Sequence, residues 1–312
     1  MVFGVDEAGK GPVLGSMFVA AVSGDPSQFP GDVGDSKSIP DGRRRELAAV
    51  IRDRATAVYV VEIPVERIDD PETQMNELTV AGHARAAAGV LDTGRENSEV
   101  GRHPGDGCGD SEVATDPGAE REDSEVAGNH GDAQADTEVD EILGQRAGDI
   151  GVTGIFGNNE RESERTGNFD DVGASAGEDG TASPPEASSE EPPQVPVGYL
   201  DAGDTDEKRF ERRVRNCLEM PATLRAEHGA DERYTIVGAA SIIAKEAREQ
   251  HVESLAEKYG RVGSGYPSDQ TTREFLETYV RENHSLPACA RTSWGTSRDV
   301  LAALDQSTLT EF

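Results

Sequence analysis

Lysine is nearly missing from this chain of 312 residues. Only five of its 30 basic residues are lysine (Lys10, Lys37, Lys208, Lys245 and Lys258), and the rest are arginine. Aromatic residues make up 5% of the chain, with a single tryptophan. The three cysteines, Cys108, Cys217 and Cys289, form no C-x-x-C pair and no metal spacing. That excludes a disulfide framework or zinc ribbon, and an odd, sparse count suits a reducing cytosol. No apolar run approaches the roughly 18 residues of a membrane span. Asp6 and Glu7 come too early for a signal peptide, whose start is basic and then apolar. A cytoplasmic protein without membrane contact is expected.

Positive charge as a whole is short: 61 acids face 30 bases, for a formal net charge of -31. Such a chain is either a disordered acidic protein or a globular one adapted to concentrated salt, which screens self-repulsion. The apolar patterning outside one central region favours the halophilic, folded alternative. Residues 92–197 carry 27 acids and 6 bases, are rich in Gly and Ser, and include the run "SPPEASSEEPPQVP". With no sustained periodicity, this region is expected to be a disordered acidic insertion, a solvated linker or a salt-adaptive element.

The remaining 206 residues, with 34 acids and 24 bases, alternate strand and helix patterns. "MVFGVDEA", "GSMFVAAVSG", "TAVYVVEI", "VGYLDAG" and "ATLRAEH" read as strands. "SIPDGRRRELAAVIRDRA" reads as a helix with a Ser38/Asp41 capping box and Pro40 in its first turn. "TQMNELTVAGHARAAAGVL" and "DEKRFERRVRNCL" read as helices, and a single long helix is expected from Asp231 to Tyr259. "SDQTTREFLETYVREN" and "SRDVLAALD" end the chain as helices. The class is α/β, a mixed sheet flanked by helices with a helical C-terminal part.

"GVDEAGKGPVLG" has the G-x-x-x-x-G-K outline of a phosphate-cradling loop. A nucleotide loop needs Ser or Thr after the lysine and free N–H groups. Here Gly11 and Pro12 follow Lys10, Pro12 has no N–H, and Asp6 and Glu7 would repel phosphate. Carboxylates at a strand end suit a hard cation instead. Asp201 ends another strand, and Asp231 opens a helix, where it would serve equally as an N-cap. If Asp6, Glu7, Asp201 and Asp231 meet at one sheet edge, divalent metal is needed to neutralise them, an arrangement suited to two-metal phosphoryl hydrolysis.

Further residues carry a functional and a bland reading. Ser241, Lys245 and Arg248 share one helix face, as phosphate contacts or as a solvated stripe. Lys37 lies in a loop, Asn76 in a helix, and Tyr266 beside a turn. His228 and Trp294 read as structural. The tail "QSTLTEF" spaces Gln306, Leu309 and Phe312 like a helix-in-groove anchor, or is simply frayed.

Seven blocks in order, "GVDEAGKGPVLG", "DSKSIPDGRRREL", "QMNEL", "YLDAGD", "AEHGADERYTIVGAASIIAK", "GSGYPSD" and "RTSW", closely resemble archaeal-type ribonuclease HII. The likeness covers nearly all of the chain outside 92–197. It implies an RNase H-like fold. It also implies Mg²⁺ or Mn²⁺ on Asp6, Glu7, Asp201 and Asp231, and hydrolysis of RNA in RNA–DNA hybrids and at ribonucleotides embedded in duplex DNA. The products would carry 3′-hydroxyl and 5′-phosphate ends. The family's G-R-G triplet reads Gly9-Lys10-Gly11 here. It would grip the ribose 2′-hydroxyl, with Tyr266 against the next sugar. Lys37, Asn76, Ser241, Lys245 and Arg248 would bind phosphates. The tail would dock on the sliding clamp.

On this reading, 1–91 with 198–260 form the catalytic core, 92–197 the insertion, 261–305 the helical C-terminal part and 306–312 the clamp-binding tail of a monomer. A nucleotide-binding protein and a non-catalytic acidic interaction protein remain as alternatives. Neither of them needs four separated acids.

Overall fold

The expected strands join in one sheet whose two faces are both covered by helices, which is why the strands read as nearly continuous apolar runs. The computed structural model describes residues 1–35, 39–99, 152–153 and 195–309. For residue 35, 94–99, 152–153 and 305–309 it describes the backbone only. Lys37 and Phe312 lie outside the described residues.

The strands are β1 (Val2–Ala8), β2 (Met17–Ser23), β3 (Ala57–Ile63), β4 (Val152–Thr153), β5 (Val197–Asp201) and β6 (Thr223–Glu227). Their spatial order is β4-β3-β2-β1-β5-β6. The first four pair antiparallel, whereas β1, β5 and β6 run parallel. The sheet thus changes from antiparallel to parallel pairing at β1, and the carboxyl ends of β1 and β5 lie side by side. β4, inside the stretch expected as an insertion, pairs with the outer edge of β3.

Helices α1 (Asp41–Arg54) and α6 (Thr235–Tyr259) cover one face, packing Leu47, Ile51, Ile236, Val237 and Ile243 on Phe18, Ala20 and Val60. Helices α3 (Met75–Glu99) and α4 (Glu207–Asn216) cover the other, bringing Leu78, Val80, Ala84, Ala87, Phe210 and Val214 to Phe3, Val5, Met17, Val19 and Val61. A smaller apolar cluster joins Val13 and Leu14 to Leu255 and to the C-terminal helices α7 (Gln270–Asn283) and α8 (Gly295–Leu309). Between β3 and α3 lies a one-turn helix, α2 (Val65–Ile68).

Two local expectations are corrected. Helix α1 begins at Asp41 with Pro40 at its N-cap rather than in its first turn and with no side-chain cap hydrogen bond, while Ser38 of the expected capping box lies outside the described residues. The single long helix from Asp231 is broken in two. A short α5 (Ala230–Arg233) precedes α6, and Tyr234 between them is extended at φ -118°, ψ 113°. The reason is tertiary. The Tyr234 ring stacks on Tyr199 of β5 at 4.2 Å, and its hydroxyl donates to Glu227 of β6 at 3.0 Å. Docking the ring on the sheet pulls its backbone out of helical geometry.

Helix α6 lies so close to β1 that only glycine fits between them. A Cβ on Gly4 would stand 2.5 Å from the carbonyl carbon of Ile236. Gly4→Ala is therefore expected to lower stability by about 1–3 kcal/mol through overpacking. Gly31→Ala, with nothing within 4 Å of the added carbon, should change it by less than about 0.5 kcal/mol. Thermal unfolding of both variants in the same salt checks the difference.

Candidate active site

The register of the parallel strands assembles the acids. Val5 pairs with Leu200, so Asp6 and Asp201 follow as the next residues on adjacent strands, roughly 5 Å apart in strand spacing. Asp6 is 4% exposed and Asp231 3%. Side chains alternate along a strand, and the contacts show it. Asp6 faces α6, where the Ser241 hydroxyl hydrogen-bonds to it and Lys245 lies near. Glu7 faces α3, where its Oε2 meets His83 Nε2 at 2.8 Å. Asp201 Oδ1 accepts from the Ala230 N–H at 2.9 Å, which ties the end of β5 to α5, the helix that carries Asp231.

Asp231 is not the N-cap. Gly229 holds that position in left-handed backbone, φ 64°, ψ 34°, and Asp231 sits buried in the first turn of α5. The capping alternative is thereby removed. The Gly9–Gly11 turn leads into β2, not into a helix, so the nucleotide-loop alternative falls as well.

The electrostatics report crowding. Burial, then repulsion by Glu7 and Asp201, pushes Asp6 well above the ordinary carboxylate range, against the pull of Ser241 and Lys245. Burial also raises Asp201, opposed by the Ala230 N–H and aided by Glu7 and Asp231. Burial would raise Glu7, yet the His83 hydrogen bond and the fields of His83 and Lys10 bring it below its ordinary value. Asp6, Glu7, Asp201 and Asp231 offer only hard carboxylate oxygens, a donor set that fits Mg²⁺ or Mn²⁺. The negative charge of Glu7 and Asp201, which adds to the effect of burial on Asp6, is what a divalent cation relieves.

Among the described residues, no three His, Cys, Asp or Glu side chains close into a ready-made cation cage. The acids form an open edge, because Asp6 and Glu7 leave β1 on opposite sides. A groove of about 630 Å³ between α7 and α8 stands apart and is lined by none of these acids. The groove's size does not make it the reactive centre.

Beside the acids lies the Gly9-Lys10-Gly11 turn. Gly9 has φ 92°, and a Cβ there would press on Ser16 O at 3.0 Å and Arg248 Cδ at 3.1 Å. Lys10 Nζ donates to the carbonyl of Gly203, in the loop after β5. A Cβ on Gly11 would stand 3.7 Å from the Tyr266 ring. Tyr266 is 41% exposed, and its ring carries the Arg248 guanidinium 4.9 Å from its centre. Arg248 also donates to Ser264 O at 2.6 Å.

The structure thus gathers Asp6, Glu7, Asp201, Asp231, Ser241 and Lys245 at one edge and Gly9, Gly11, Arg248 and Tyr266 beside it, with Lys10 bridging to the β5 loop. Asn76 is exposed in the first turn of α3 rather than mid-helix, two turns before His83 on the same face. Gln306 and Leu309 lie in the last turns of α8, so the helix continues into the segment expected as a separate tail. His228 is exposed, with its N–H bonded to Glu207 at 2.7 Å.

Three participants carried no functional role in the sequence reading. His83 is fully buried, against Glu7 on one side and edge-on to Phe210 at 5.0 Å on the other. Its signal was a polar residue in an otherwise alanine-rich stripe. Arg291, in "RTSW", is fully buried beneath the glycine turn. Asp69 takes hydrogen bonds from the backbone and hydroxyls of both Thr292 and Ser293, at 2.5 to 3.0 Å.

Comparison with known proteins gives the chain a family. The family model described as Ribonuclease HII matches residues 3–103 and 192–297. A Ribonuclease HII of Haloarcula marismortui is 41% identical over 312 residues, covering all of both chains. Among solved structures, the ribonuclease H2 of Pyrococcus horikoshii aligns with a TM-score of 0.59 at 25% identity, covering 98% of this chain and 99% of that one. The RNase HII of Archaeoglobus fulgidus, solved in complex with PCNA, aligns with a TM-score of 0.57 at 25% identity, covering 94% and 95%.

His83 orients Glu7, so its loss should be felt at the metal. Changes to groups that orient metal ligands cost about 10–100-fold in affinity or activity. His83→Ala is expected to weaken Mn²⁺ binding, read by calorimetry, by about that factor, and His83→Gln by less. Unchanged affinity in a folded His83→Ala variant would show that Glu7 needs no such support.

Proposed function

The chain belongs to the ribonuclease HII family, and we propose that it is a metal-dependent endoribonuclease. It hydrolyses the RNA strand of RNA–DNA hybrids and cuts 5′ to ribonucleotides embedded in duplex DNA, leaving 3′-hydroxyl and 5′-phosphate ends. The observation that carries this reading is the strand register that sets Asp6 beside Asp201, next to Asp231 and the glycine turn.

Asp6, Glu7, Asp201 and Asp231 would hold Mg²⁺ or Mn²⁺. When bound, the cations supply Lewis acidity and charge neutralisation to phosphoryl hydrolysis. The chain's own groups do the rest. His83 keeps Glu7 oriented and in its anionic form. Ser241 and Lys245 orient Asp6 and oppose the rise that burial and its acidic neighbours cause, and Lys245 adds positive charge where a phosphate would approach. Gly9, Lys10 and Gly11 form a turn whose backbone can approach a ribose closely, and Tyr266 stands over Gly11 to pack on the following sugar. The 2′-hydroxyl is the group that distinguishes RNA from DNA. A site built to bond it rejects substrates lacking it by roughly 10⁴–10⁵. Arg248, Asn76 and Lys37 are the further phosphate contacts of this reading.

The core comprises 1–91 and 198–260, followed by the helical part 261–305, with 92–197 as an acidic insertion dispensable for cleavage. The Archaeoglobus complex with PCNA supports a sliding clamp as partner, met by Gln306, Leu309 and Phe312. The protein acts as a cytoplasmic monomer. No helix among the described residues is long and apolar enough to cross a membrane. Recognition rests on metal, one hydroxyl and a small basic cleft rather than a broad basic surface. Activity is therefore expected to persist in molar KCl, where phosphate contacts alone would weaken steeply.

The test is cleavage of an end-labelled DNA duplex carrying one ribonucleotide, in Mg²⁺ or Mn²⁺ and molar KCl. A cut 5′ to the ribonucleotide is expected, absent without metal and lost in Asp201→Asn, with all-DNA duplex untouched. Comparable cutting of all-DNA duplex, or none of any hybrid by the folded chain, would overturn the proposal.

A further inference from the structure

Arg291 is among the largest side chains in the protein with no exposure at all, in a loop between α7 and α8. A buried charge is costly, and replacing one by well-packed apolar side chains is often neutral or stabilising. Packing alone therefore gives no reason for arginine here. Its geometry does. Nη2 donates to Gly9 O at 2.6 Å, Nη1 to Lys10 O at 3.0 Å and Nε to Gly15 O at 2.9 Å. One planar fork thus holds two carbonyls of the glycine turn and the carbonyl of Gly15 at once, which lysine, as a point charge, cannot do.

Two neighbours complete the clamp. Trp294 Nε1 donates to Gly11 O at 3.2 Å, and its ring lies 4.9 Å from the Arg291 guanidinium. Backbone bonds from Arg291 N to Val13 O and from Gly15 N to Cys289 O, both 2.8 Å, fasten the same two segments.

The consequence follows from peptide geometry. In a trans peptide, C=O and N–H point in opposite directions, and no cis peptide occurs among the described residues. Holding the carbonyls of Gly9 and Lys10 inward turns the N–H groups of Lys10 and Gly11 outward. The Tyr266 ring lies beside Gly11. These are the donors that a ribose would meet.

We propose that Arg291, seconded by Trp294, is the positioning residue that sets ribonucleotide selectivity. It fixes the outward N–H donors of the Gly9–Gly11 turn from beneath and does not touch the substrate itself. The inference rests on the function proposed above, because it explains how that site tells one sugar from another.

The experiment measures binding of the full chain by fluorescence anisotropy, with Ca²⁺ in place of Mg²⁺ and the absence of cleavage verified. The probes are an all-DNA duplex and the same duplex with one ribonucleotide. The unaltered chain should prefer the second. Arg291→Gln should bring that preference toward unity mainly by weakening the ribonucleotide duplex, and Arg291→Lys should fall between. Trp294→Phe, which removes only the Gly11 bond, should narrow it less. Mn²⁺ affinity should stay within twofold in each variant, which separates positioning from general damage.

A folded Arg291→Gln variant that keeps the preference, or loses affinity for both duplexes equally, overturns the proposal. If that variant does not fold, an unchanged preference in Trp294→Phe overturns it. If the unaltered chain shows no preference, the functional reading itself fails, and this inference fails with it.

Discussion

Mutual repulsion among buried carboxylates at the ends of β1 and β5 is the constraint around which the rest of the structure is arranged. Two strands running in parallel deliver Asp6 and Asp201 side by side, and the price of burying them is visible in how far Asp6 is pushed from its ordinary titration. The surrounding elements each supply a counterweight. Helix α6 brings Ser241 and Lys245, α3 brings His83, and the N–H of Ala230 holds Asp201. None of these removes the excess charge, which is the part that the proposed cation would play. The mixed topology serves this arrangement, since the parallel pair puts two strand termini at one edge.

The second half of the site is built from the opposite material. The glycine turn has few side chains, so its shape comes from hydrogen bonds to its carbonyls. Those donors come from a loop 281 to 282 residues further along the chain (Arg291 to Lys10 and Gly9). Asp69 holds that loop in turn through Thr292 and Ser293. The loop that bears Tyr266 is fixed by Asp269, whose carboxylate accepts from the Ser264 and Thr271 N–H groups, and which those bonds hold down at about 2. Acid edge and glycine turn are thus rigid for different reasons, one by packing between helices and the other by buried polar anchors.

Much of this was legible in the chain, and the pattern of what was not is physical. The apolar runs of "MVFGVDEA" and "TAVYVVEI" and the helical stripes of α3 and α4 announce themselves, because local pattern and tertiary burial agree there. The break at Tyr234 is invisible locally, since the stack on Tyr199 that causes it comes from a distant strand. The two-residue strand β4 is too short to carry a period. Asp6 and Glu7 stood out as acids inside a glycine loop, whereas His83 was hidden by its alanine-rich surroundings and Arg291 by a chain already full of arginine. The strong acidity of the sequence has a structural side too. Arg44 and Arg45 of α1 pair with Glu249 and Glu253 of α6, and Arg43 pairs with Asp32 in the segment before α1, through exposed or partly buried contacts. Exposed pairs of this kind contribute only about 0–1 kcal/mol each, so they offset charge more than they hold the fold.

Comparing the thermal unfolding of the unaltered chain and of Asp6→Asn, once in chelator and once in saturating Mg²⁺, tests the central claim most directly. Asparagine keeps the shape and can still accept the hydrogen bond, but it removes one of the crowded charges. Asp6→Asn should be the more stable of the two without metal, and Mg²⁺ should reverse the order by stabilising the unaltered chain far more. Equal stability in chelator, or equal stabilisation of both by Mg²⁺, would contradict it: the acids would then be neither strained by one another nor waiting for a cation.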